Sequence, residues 1–294
     1  MPRRSLFAAA GLGGLAAACS PLTLFSTFAP RDGGGELADR HAAYGDDPRQ
    51  TLDLYAPRPR RAGAPVVVFH YGGNWNSGRK EDYGWVARAL TAQGFVAAVA
   101  DYRLVPTVRF PAFLDDAAAA VAKAAALAPS VGGDPRRIVL MGHSAGAYLS
   151  AMLALERRSL QRAGVEARQV RALVGLSGPY DFFPYRVPAT VAAFGDASPR
   201  ESQPIAFASA AAPPSLLITG GSDHLVEPSN SIGLGQRLME AGAHAEVKIY
   251  PGLDHAGTVL ALSRVFRGRA PLLADVAQFI RAHAGAEQAG AGGA

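Results

Sequence analysis

The sequence predicts an α/β protein with a mostly parallel, doubly wound sheet, helices on both faces and a small lid segment. Short runs that are β-branched or uniformly apolar alternate with helical patterns from residue 51 to residue 283. Strands this apolar are typical of a sheet covered on both faces, and the β-α alternation favours parallel pairing. With 49% hydrophobic and 18% charged residues, the chain can bury the core that such a sheet needs.

Each element is predicted from its own pattern. The predicted strands are Thr51–Tyr55, Val66–Phe69, Phe95–Val99, Ile138–Met141, Ala172–Leu176, Ser215–Thr219 and Ala245–Tyr250, and the predicted helices cover about 82–93, 112–128, 145–157, 229–242 and 271–283. Pro111 and Pro228 precede the second and fourth helices, as helix starts allow. Residues 178–213 carry prolines and aromatics without a clear period, so we interpret them as the lid segment.

The N-terminus has the composition of a secretory signal. Arg3-Arg4 is followed by an apolar, Gly/Ala-rich run from Leu6 to Ala18 that is too short to span a bilayer. We therefore divide the chain into a signal peptide (1–19), a Pro/Gly-rich tether (20–45), the folded domain (46–284) and a flexible Gly/Ala-rich tail (285–294).

Cys19 ends the predicted signal peptide. The stretch Leu15-Ala16-Ala17-Ala18-Cys19 resembles a bacterial lipobox, in which the cysteine is diacylated and becomes the new N-terminus. It departs from that pattern because the leucine stands four residues before the cysteine rather than three. The resemblance implies an exported bacterial protein, periplasmic or anchored to a membrane surface through lipidated Cys19. The alternative is an ordinary cleaved signal with a bystander cysteine.

Composition argues against several other classes. The net charge of +5 is spread over scattered basic residues, with no basic stripe among aromatics, so no nucleic-acid partner is predicted. A single cysteine permits no intrachain disulfide. Because the sequence shows no Cys/His spacing typical of a metal site, we predict neither a metal nor a cofactor.

A nucleophile candidate follows the predicted strand Ile138–Met141. Gly142-His143-Ser144-Ala145-Gly146 fits G-x-S-x-G and leads directly into a helix. In such a strand-turn-helix setting the glycines relieve crowding around a strained turn, which projects the Ser144 hydroxyl above the sheet. The alternative is a serine that only caps the helix.

A serine hydroxyl is a poor nucleophile unless a base and an orienting carboxylate assist it. Asp223 follows the strand Ser215–Thr219, and His255 follows Ala245–Tyr250, so both belong at the sheet edge predicted for Ser144. We predict Asp223 as the acid, in preference to Asp181 of the lid segment or Asp254 beside the base. The other histidines lie within the Ser144 turn, directly after the acid, before a strand or in the terminal regions (His143, His224, His244, His41 and His283).

The stretch His70-Tyr71-Gly72-Gly73-Asn74-Trp75 follows the strand Val66–Phe69. Glycines permit a substrate to approach the backbone closely. We predict that the N–H groups of Gly72, Gly73 and Asn74, with that of Ala145, form an oxyanion hole. A tight turn is the alternative. His70 is expected to end the buried strand rather than to act as a base.

The sequence resembles a known family. The segments HYGGNWNSGRKEDY, FVAAVADYRLVP, FPAFLDDAAAAV, GGDPRRIVLMGHSAG, GGSDHLVEP and YPGLDHAG, spread over about residues 50 to 284, are similar to those of α/β-hydrolase carboxylesterases. The feruloyl/acetyl-esterase-like, hormone-sensitive-lipase-like and kynurenine-formamidase-like branches are the most similar. Where that family carries H-G-G-G-W or H-G-G-x-W, this chain has Tyr71 for the histidine and Asn74 at the third position.

The predicted function is therefore a serine hydrolase that cleaves carboxylic esters of small or aromatic acyl groups through an acyl-enzyme. Residues 182–194 are expected to form an apolar wall over the site. Two alternatives remain open: an amidase or formamidase on the same triad, and a surface lipoprotein that binds a ligand on a hydrolase scaffold without turnover.

Overall fold

The computed structural model describes residues 21–285, which are built around one eight-stranded sheet. The strands are β1 (Gly35–Ala43), β2 (Thr51–Pro57), β3 (Ala64–His70), β4 (Val96–Ala100), β5 (Gly133–His143), β6 (Val170–Leu176), β7 (Ser215–Gly220) and β8 (Ala245–Tyr250). Their order is β1-β2-β4-β3-β5-β6-β7-β8. The pairs β1–β2 and β2–β4 are antiparallel and the other pairs are parallel. The predicted mostly parallel sheet is confirmed.

Ten α-helices lie within residues 21–285. They are α1 (Pro21–Phe28), α2 (Gly84–Thr91), α3 (Ala112–Leu127), α4 (Ala145–Leu155), α5 (Arg158–Arg162), α6 (Pro188–Phe194), α7 (Pro199–Ser202), α8 (Ser229–Glu240), α9 (His255–Leu260) and α10 (Leu272–Ala284). Every residue of β3 and β4 is buried, because helices cover both faces of the sheet. The chain reverses direction across the sheet after β4, and right-handed crossovers then place α2 on the face opposite to α3 and α4.

The tether predicted for residues 20–45 is wrong over the described part of that range. Helix α1 packs through Phe25 against Trp85 and Phe266, with ring centroids 5.4 and 5.8 Å apart. Strand β1 adds to the edge of the sheet by pairing with β2. The sequence pattern does not indicate this strand, because an edge strand is only partly covered and its residues lack the apolar run that is typical of a central strand.

The lid segment contains three short helical pieces, α6, α7 and a 3₁₀ turn at Pro204–Phe207, joined by irregular chain. The predicted signal peptide, including Cys19, and the tail after Gly285 lie outside the described residues. No helix between residues 21 and 285 combines the length and apolarity required to cross a membrane.

Candidate active site

Ser144 stands at the sharp turn between β5 and α4. Its backbone adopts φ 55° and ψ −125°, a conformation that L-residues seldom take and that costs free energy where it occurs. Its amide donates to Leu176 O (2.9 Å), and its carbonyl accepts from Ala147 and Tyr148 in the first turn of α4. The surrounding hydrogen bonds therefore hold the residue in the strained turn that the G-x-S-x-G motif predicts.

Asp223 and His255 lie close together because they follow β7 and β8, which are paired parallel strands. In the register of β7 and β8, Gly220 lies opposite Tyr250, so the two following loops start side by side. His255 Nδ1 lies 2.9 Å from Asp223 Oδ2, and the second carboxylate oxygen accepts the N–H groups of Leu225 and Val226. Burial acts to raise the pKa of Asp223, but the Val226 and His255 hydrogen bonds outweigh it and hold that pKa below its ordinary value. Asp223 is therefore an ionised carboxylate facing the imidazole.

His143, the residue before Ser144, links the serine turn to the Asp223–His255 pair. His143 Nε2 donates to the backbone carbonyl of His255 (3.0 Å), and the two rings are 4.8 Å apart. Among the described residues no hydrogen bond joins the Ser144 hydroxyl to His255, a contact that often forms only when substrate is bound. The three predicted residues are thus gathered at one sheet edge, with the acid–base pair already formed.

A supporting layer behind this pair was not predicted from the sequence. Ser177, which follows β6, hydrogen bonds to Thr258 (3.1 Å), and its hydroxyl also helps to lower the pKa of Asp223. Thr258 in turn donates to the carbonyl of His255 (2.9 Å). The only local signal was that Ser177, like Ser144, directly follows a strand.

The predicted oxyanion residues adjoin Ser144 because β3 and β5 pair with His70 opposite Gly142. A Cβ on Gly72 would lie 2.8 Å from Ser144 Cβ, so the loop passes too close for any other residue. Gly73, with φ 128°, requires glycine for its backbone conformation. Within residues 21–285, the backbone N–H groups of the four predicted donors find no hydrogen-bond acceptor (Gly72, Gly73, Asn74 and Ala145).

The rejected candidates occupy structural positions. His70 is fully buried at the end of β3, bonds to Ser150 (3.0 Å), and has a pKa lowered by burial to about 4. Burial, with the nearby His255, lowers the pKa of His143 to about 3. Asp254 caps α9 by accepting from Gly257 N, and Asp181 is exposed in the lid segment. None of these four replaces a member of the predicted set.

An aromatic cluster includes one side chain of the predicted oxyanion loop, the name we give to residues 72–78. Trp75, within this loop, has ring centroids 5.9 Å from Phe182, 4.9 Å from Phe194 and 5.4 Å from Tyr148. We call Trp75, Phe113, Tyr148, Phe182, Tyr185 and Phe194 the aromatic cluster. The Trp75 indole N–H and the Tyr148 hydroxyl are buried and have no partner among the described residues. The lid segment therefore meets the oxyanion loop through aromatic rings.

A group of metal-ligating side chains lies elsewhere, where the start of β8 meets the end of α10. The ligand atoms of His244, Glu246 and His283 are within 4.8 Å of one another. Two of them are half exposed, with 51% and 42% of the His244 and Glu246 side chains open to solvent. No spacing in the sequence indicates this group, because α10 brings His283 to the strand from a distant part of the chain.

The sheet order, the strained serine turn and the Asp–His pair together define an α/β-hydrolase-fold protein. Solved structures agree: esterase B from Lactobacillus rhamnosis aligns with a TM-score of 0.75 at 20% identity, covering 89% of this chain and 90% of that chain. A thermostable esterase from Pseudomonas putida aligns with a TM-score of 0.72 at 22% identity, covering 90% and 89%. The fold predicted from the sequence is confirmed.

The chain belongs to the BD-FAE family, whose model matches residues 52–238. A probable isoprenylcysteine alpha-carbonyl methylesterase of rice is 32% identical over 264 residues, which cover 83% of this chain and 64% of the relative. Esterase LipC of Mycobacterium tuberculosis is 32% identical over 244 residues, covering 75% and 60%. The chain thus spans slightly less than two thirds of these relatives' length. The resemblance to α/β-hydrolase carboxylesterases is confirmed.

Proposed function

We propose that this protein is a serine carboxylic ester hydrolase. The observation that carries the proposal is the hydrogen bond from His255 Nδ1 to the buried Asp223 carboxylate, at the sheet edge where Ser144 leaves its strained turn. The esterase relatives support the same activity. A carboxylate at Nδ1 keeps the opposite nitrogen, Nε2, available as a base, which is the tautomer that a serine nucleophile needs.

The reaction proceeds in two halves. Ser144 Oγ attacks the ester carbonyl carbon while His255 Nε2 takes the hydroxyl proton, and the oxyanion accepts hydrogen bonds from Ala145 N–H and the loop N–H groups. The tetrahedral intermediate then breaks its bond to the alcohol oxygen, which receives the proton from His255. Water attacks the acyl-enzyme with His255 again as base, and the acid leaves as Ser144 regains its proton.

Labelling with a fluorophosphonate tests this proposal. One covalent adduct is expected on the wild type and none on Ser144→Ala, as read by intact mass. Ser222→Ala, which removes an exposed serine next to the proposed acid, serves as a matched control and is expected to label like the wild type. An unlabelled wild type would contradict the proposal.

We further propose that the acyl group is small or aromatic. The aromatic cluster supports this, because interlocked rings beside the oxyanion loop resist the displacement that a long alkyl chain requires. Aromatic walls also suit an aromatic acyl group through stacked or edge-to-face contacts.

Export and lipidation at Cys19 are proposed as well, on the sequence of residues 1–19. Helix α1 starts two residues later and packs on the domain through Phe25, while Leu24 and Phe28 expose 49% and 79% of their surface. An acylated Cys19 would therefore hold the domain directly against a membrane surface, with this apolar side of α1 towards the lipid.

A further inference from the structure

One guanidinium group joins the two ends of the oxyanion loop. Arg49, in the connection between β1 and β2, donates from Nη2 to the Tyr71 hydroxyl and to the Gly78 carbonyl, each at 2.8 Å. Tyr71 precedes the loop and Gly78 closes it. Arg49 Nε donates to the Tyr102 carbonyl (2.9 Å), which fixes the guanidinium on a third side.

The same ends of the loop are held by buried groups behind Arg49. The Tyr71 hydroxyl donates to Asp101 Oδ1 (2.6 Å), and the same oxygen accepts Lys80 N–H (2.8 Å) just beyond the loop. Tyr102 donates its hydroxyl to the Tyr71 carbonyl (3.0 Å). The backbone on either side of residues 72–78 is therefore tied to one network, which we call the loop clamp (Arg49, Tyr71, Asp101 and Tyr102).

Charge and protonation suit this arrangement. Burial, with Tyr102 and Asp101 nearby, raises the pKa of Tyr71 well above its ordinary value, so its hydroxyl remains a donor to the carboxylate. Burial also raises the pKa of Asp101, while the Tyr71 hydrogen bond and the cations Arg49 Nη2 and Lys80 Nζ, each 3.7 Å away, act in the opposite direction. Replacing the planar, multiply donating guanidinium by an ammonium would not reproduce donation to Tyr71, Gly78 and Tyr102 together.

Inside the clamp, the loop carries its own strain. Asn74 and Trp75 have φ of 52° and 59°, which is unusual for residues other than glycine. Gly73 O accepts the N–H groups of Asn76 and Ser77 at 3.0 Å each, so the loop folds back on itself. A strained loop keeps its conformation only when its surroundings fix it, and the clamp fixes both of its ends.

We infer that Arg49 is a positioning residue for the oxyanion hole. It acts through Tyr71 and Gly78, and the inference rests on the proposed hydrolase function. Tyr71, which stands where the resembling families carry histidine, provides the hydroxyl that links Arg49 to Asp101. Without Arg49 the loop N–H groups would lose their fixed direction towards the oxyanion, a transition-state interaction, so kcat should fall more than KM rises.

The test combines substitution with chemical rescue. Arg49→Ala is expected to lower kcat for p-nitrophenyl acetate by roughly 100-fold, with KM changed by about threefold or less, as a small misplacement of catalytic groups does. Because 34% of the Arg49 side chain is exposed, added guanidinium or ethylguanidinium can reach the vacated position and is expected to restore at least about tenfold of kcat. Methylammonium, which carries charge without the planar donors, is expected to restore little.

Arg267→Ala is the matched control. Arg267 has a similar exposure, 35% of its side chain, and pairs with Asp32 (2.9 Å); among the described residues no hydrogen bond joins it to residues 72–78. It is expected to keep kcat within about threefold of the wild type. Arg49→Lys, which keeps the charge, covers the case in which the alanine variant does not fold, and is expected to melt near the wild type yet lose kcat.

Several outcomes overturn the inference. They are an unchanged kcat in a folded Arg49 variant, equal rescue by methylammonium, and an equal loss in Arg267→Ala. If the wild type hydrolyses esters and Arg49→Ala retains full kcat, the positioning role is contradicted and the proposed function is not. A wild type with no hydrolytic activity removes the proposed function and the inference together.

Discussion

The hydrogen bond between His255 Nδ1 and Asp223 Oδ2, at 2.9 Å, joins two loops that leave neighbouring parallel strands. Asp223 contributes no exposed surface to this pair and receives two backbone N–H groups on its other oxygen. The carboxylate is therefore fixed before any substrate binds, and its partner imidazole is oriented by it.

Asp223→Asn should break this orientation while retaining the shape of the side chain. The amide offers an N–H where the carboxylate accepted one, so His255 would take the wrong tautomer and kcat is expected to fall by roughly 10⁴-fold. Steady-state kinetics with p-nitrophenyl acetate measure this. Asp181→Asn, at the exposed carboxylate that also preceded His255 in the chain, is the control and should leave kcat unchanged. Similar losses in both variants would contradict the assignment of Asp223.

Gly72→Ala tests the oxyanion loop by crowding it. The new Cβ would lie 2.8 Å from Ser144 Cβ and 3.1 Å from His143 O, both parts of the rigid turn, so the loop must move. We expect kcat to fall by about 10²- to 10³-fold, the loss typical of one oxyanion donor. The matched control is Gly268→Ala, because a Cβ there meets no atom of residues 21–285 within 4 Å. Wild-type kcat in Gly72→Ala would show that residues 72–74 do not serve the oxyanion.

The parts of the site that depend on local pattern could be predicted from the sequence. The strand, the glycines and the helix around Ser144 are all visible in the local sequence. Asp223 and His255 each follow a strand that is apolar enough to recognise. Strand β8 has the predicted bounds, Ala245–Tyr250. Because parallel strands end at one sheet edge, placing each residue after its strand is enough to bring the three together.

What could not be predicted depends on contacts between distant segments. No local feature of Arg49 indicates that it will bind Tyr71 and Gly78, more than 20 residues away. Ser177 and Thr258 are likewise 81 residues apart in the chain yet share a hydrogen bond. Strand β1 was hidden for a different reason, since edge position leaves its pattern of burial irregular.

The two buried histidines predict a dependence of stability on pH. Burial lowers the pKa of His70 to about 4 and of His143 to about 3, whereas an unfolded histidine titrates near ~6.5. Between this pH and the lowered pKa values, the unfolded chain binds more protons than the folded chain. The free energy of unfolding therefore falls as pH decreases from ~6.5 towards 4. Each imidazole should contribute a slope approaching about 1.4 kcal/mol per pH unit.

Urea unfolding at several pH values between 4.5 and 7.5 measures this slope. His70→Asn should reduce this slope by the contribution of one imidazole, about 1.4 kcal/mol per pH unit, even though the variant is less stable overall. Gly268→Ala, at an exposed position without a titratable side chain, should leave the slope as it is. A free energy of unfolding that stays constant over this range would contradict the two lowered pKa values.

The aromatic cluster predicts the preferred acyl length. With p-nitrophenyl esters of increasing acyl length, kcat/KM should be highest from acetate to butyrate and should fall for octanoate and longer acids. The reason is that the packed rings beside Trp75 leave no room for a long acyl chain. Phe182→Ala removes a ring 5.9 Å from Trp75 and should move the optimum to longer chains. Its neighbour Phe183 is 49% exposed, so Phe183→Ala is the control and should keep the wild-type profile. Activity that rises steadily with chain length would contradict a small acyl group.

Cys19→Ser tests the anchor. If Cys19 is acylated, the wild type expressed with its full N-terminus in a bacterium should sediment with membranes and partition into detergent, since two or more acyl chains give stable anchoring. The serine variant should appear in the soluble fraction with unchanged specific activity, because α1 and the domain after it are the same. Intact mass of the purified wild type should show a chain that begins at Cys19 and carries the acyl groups. Equal partitioning of both proteins, or a mass without acyl groups, would contradict lipidation and favour an ordinary signal peptide.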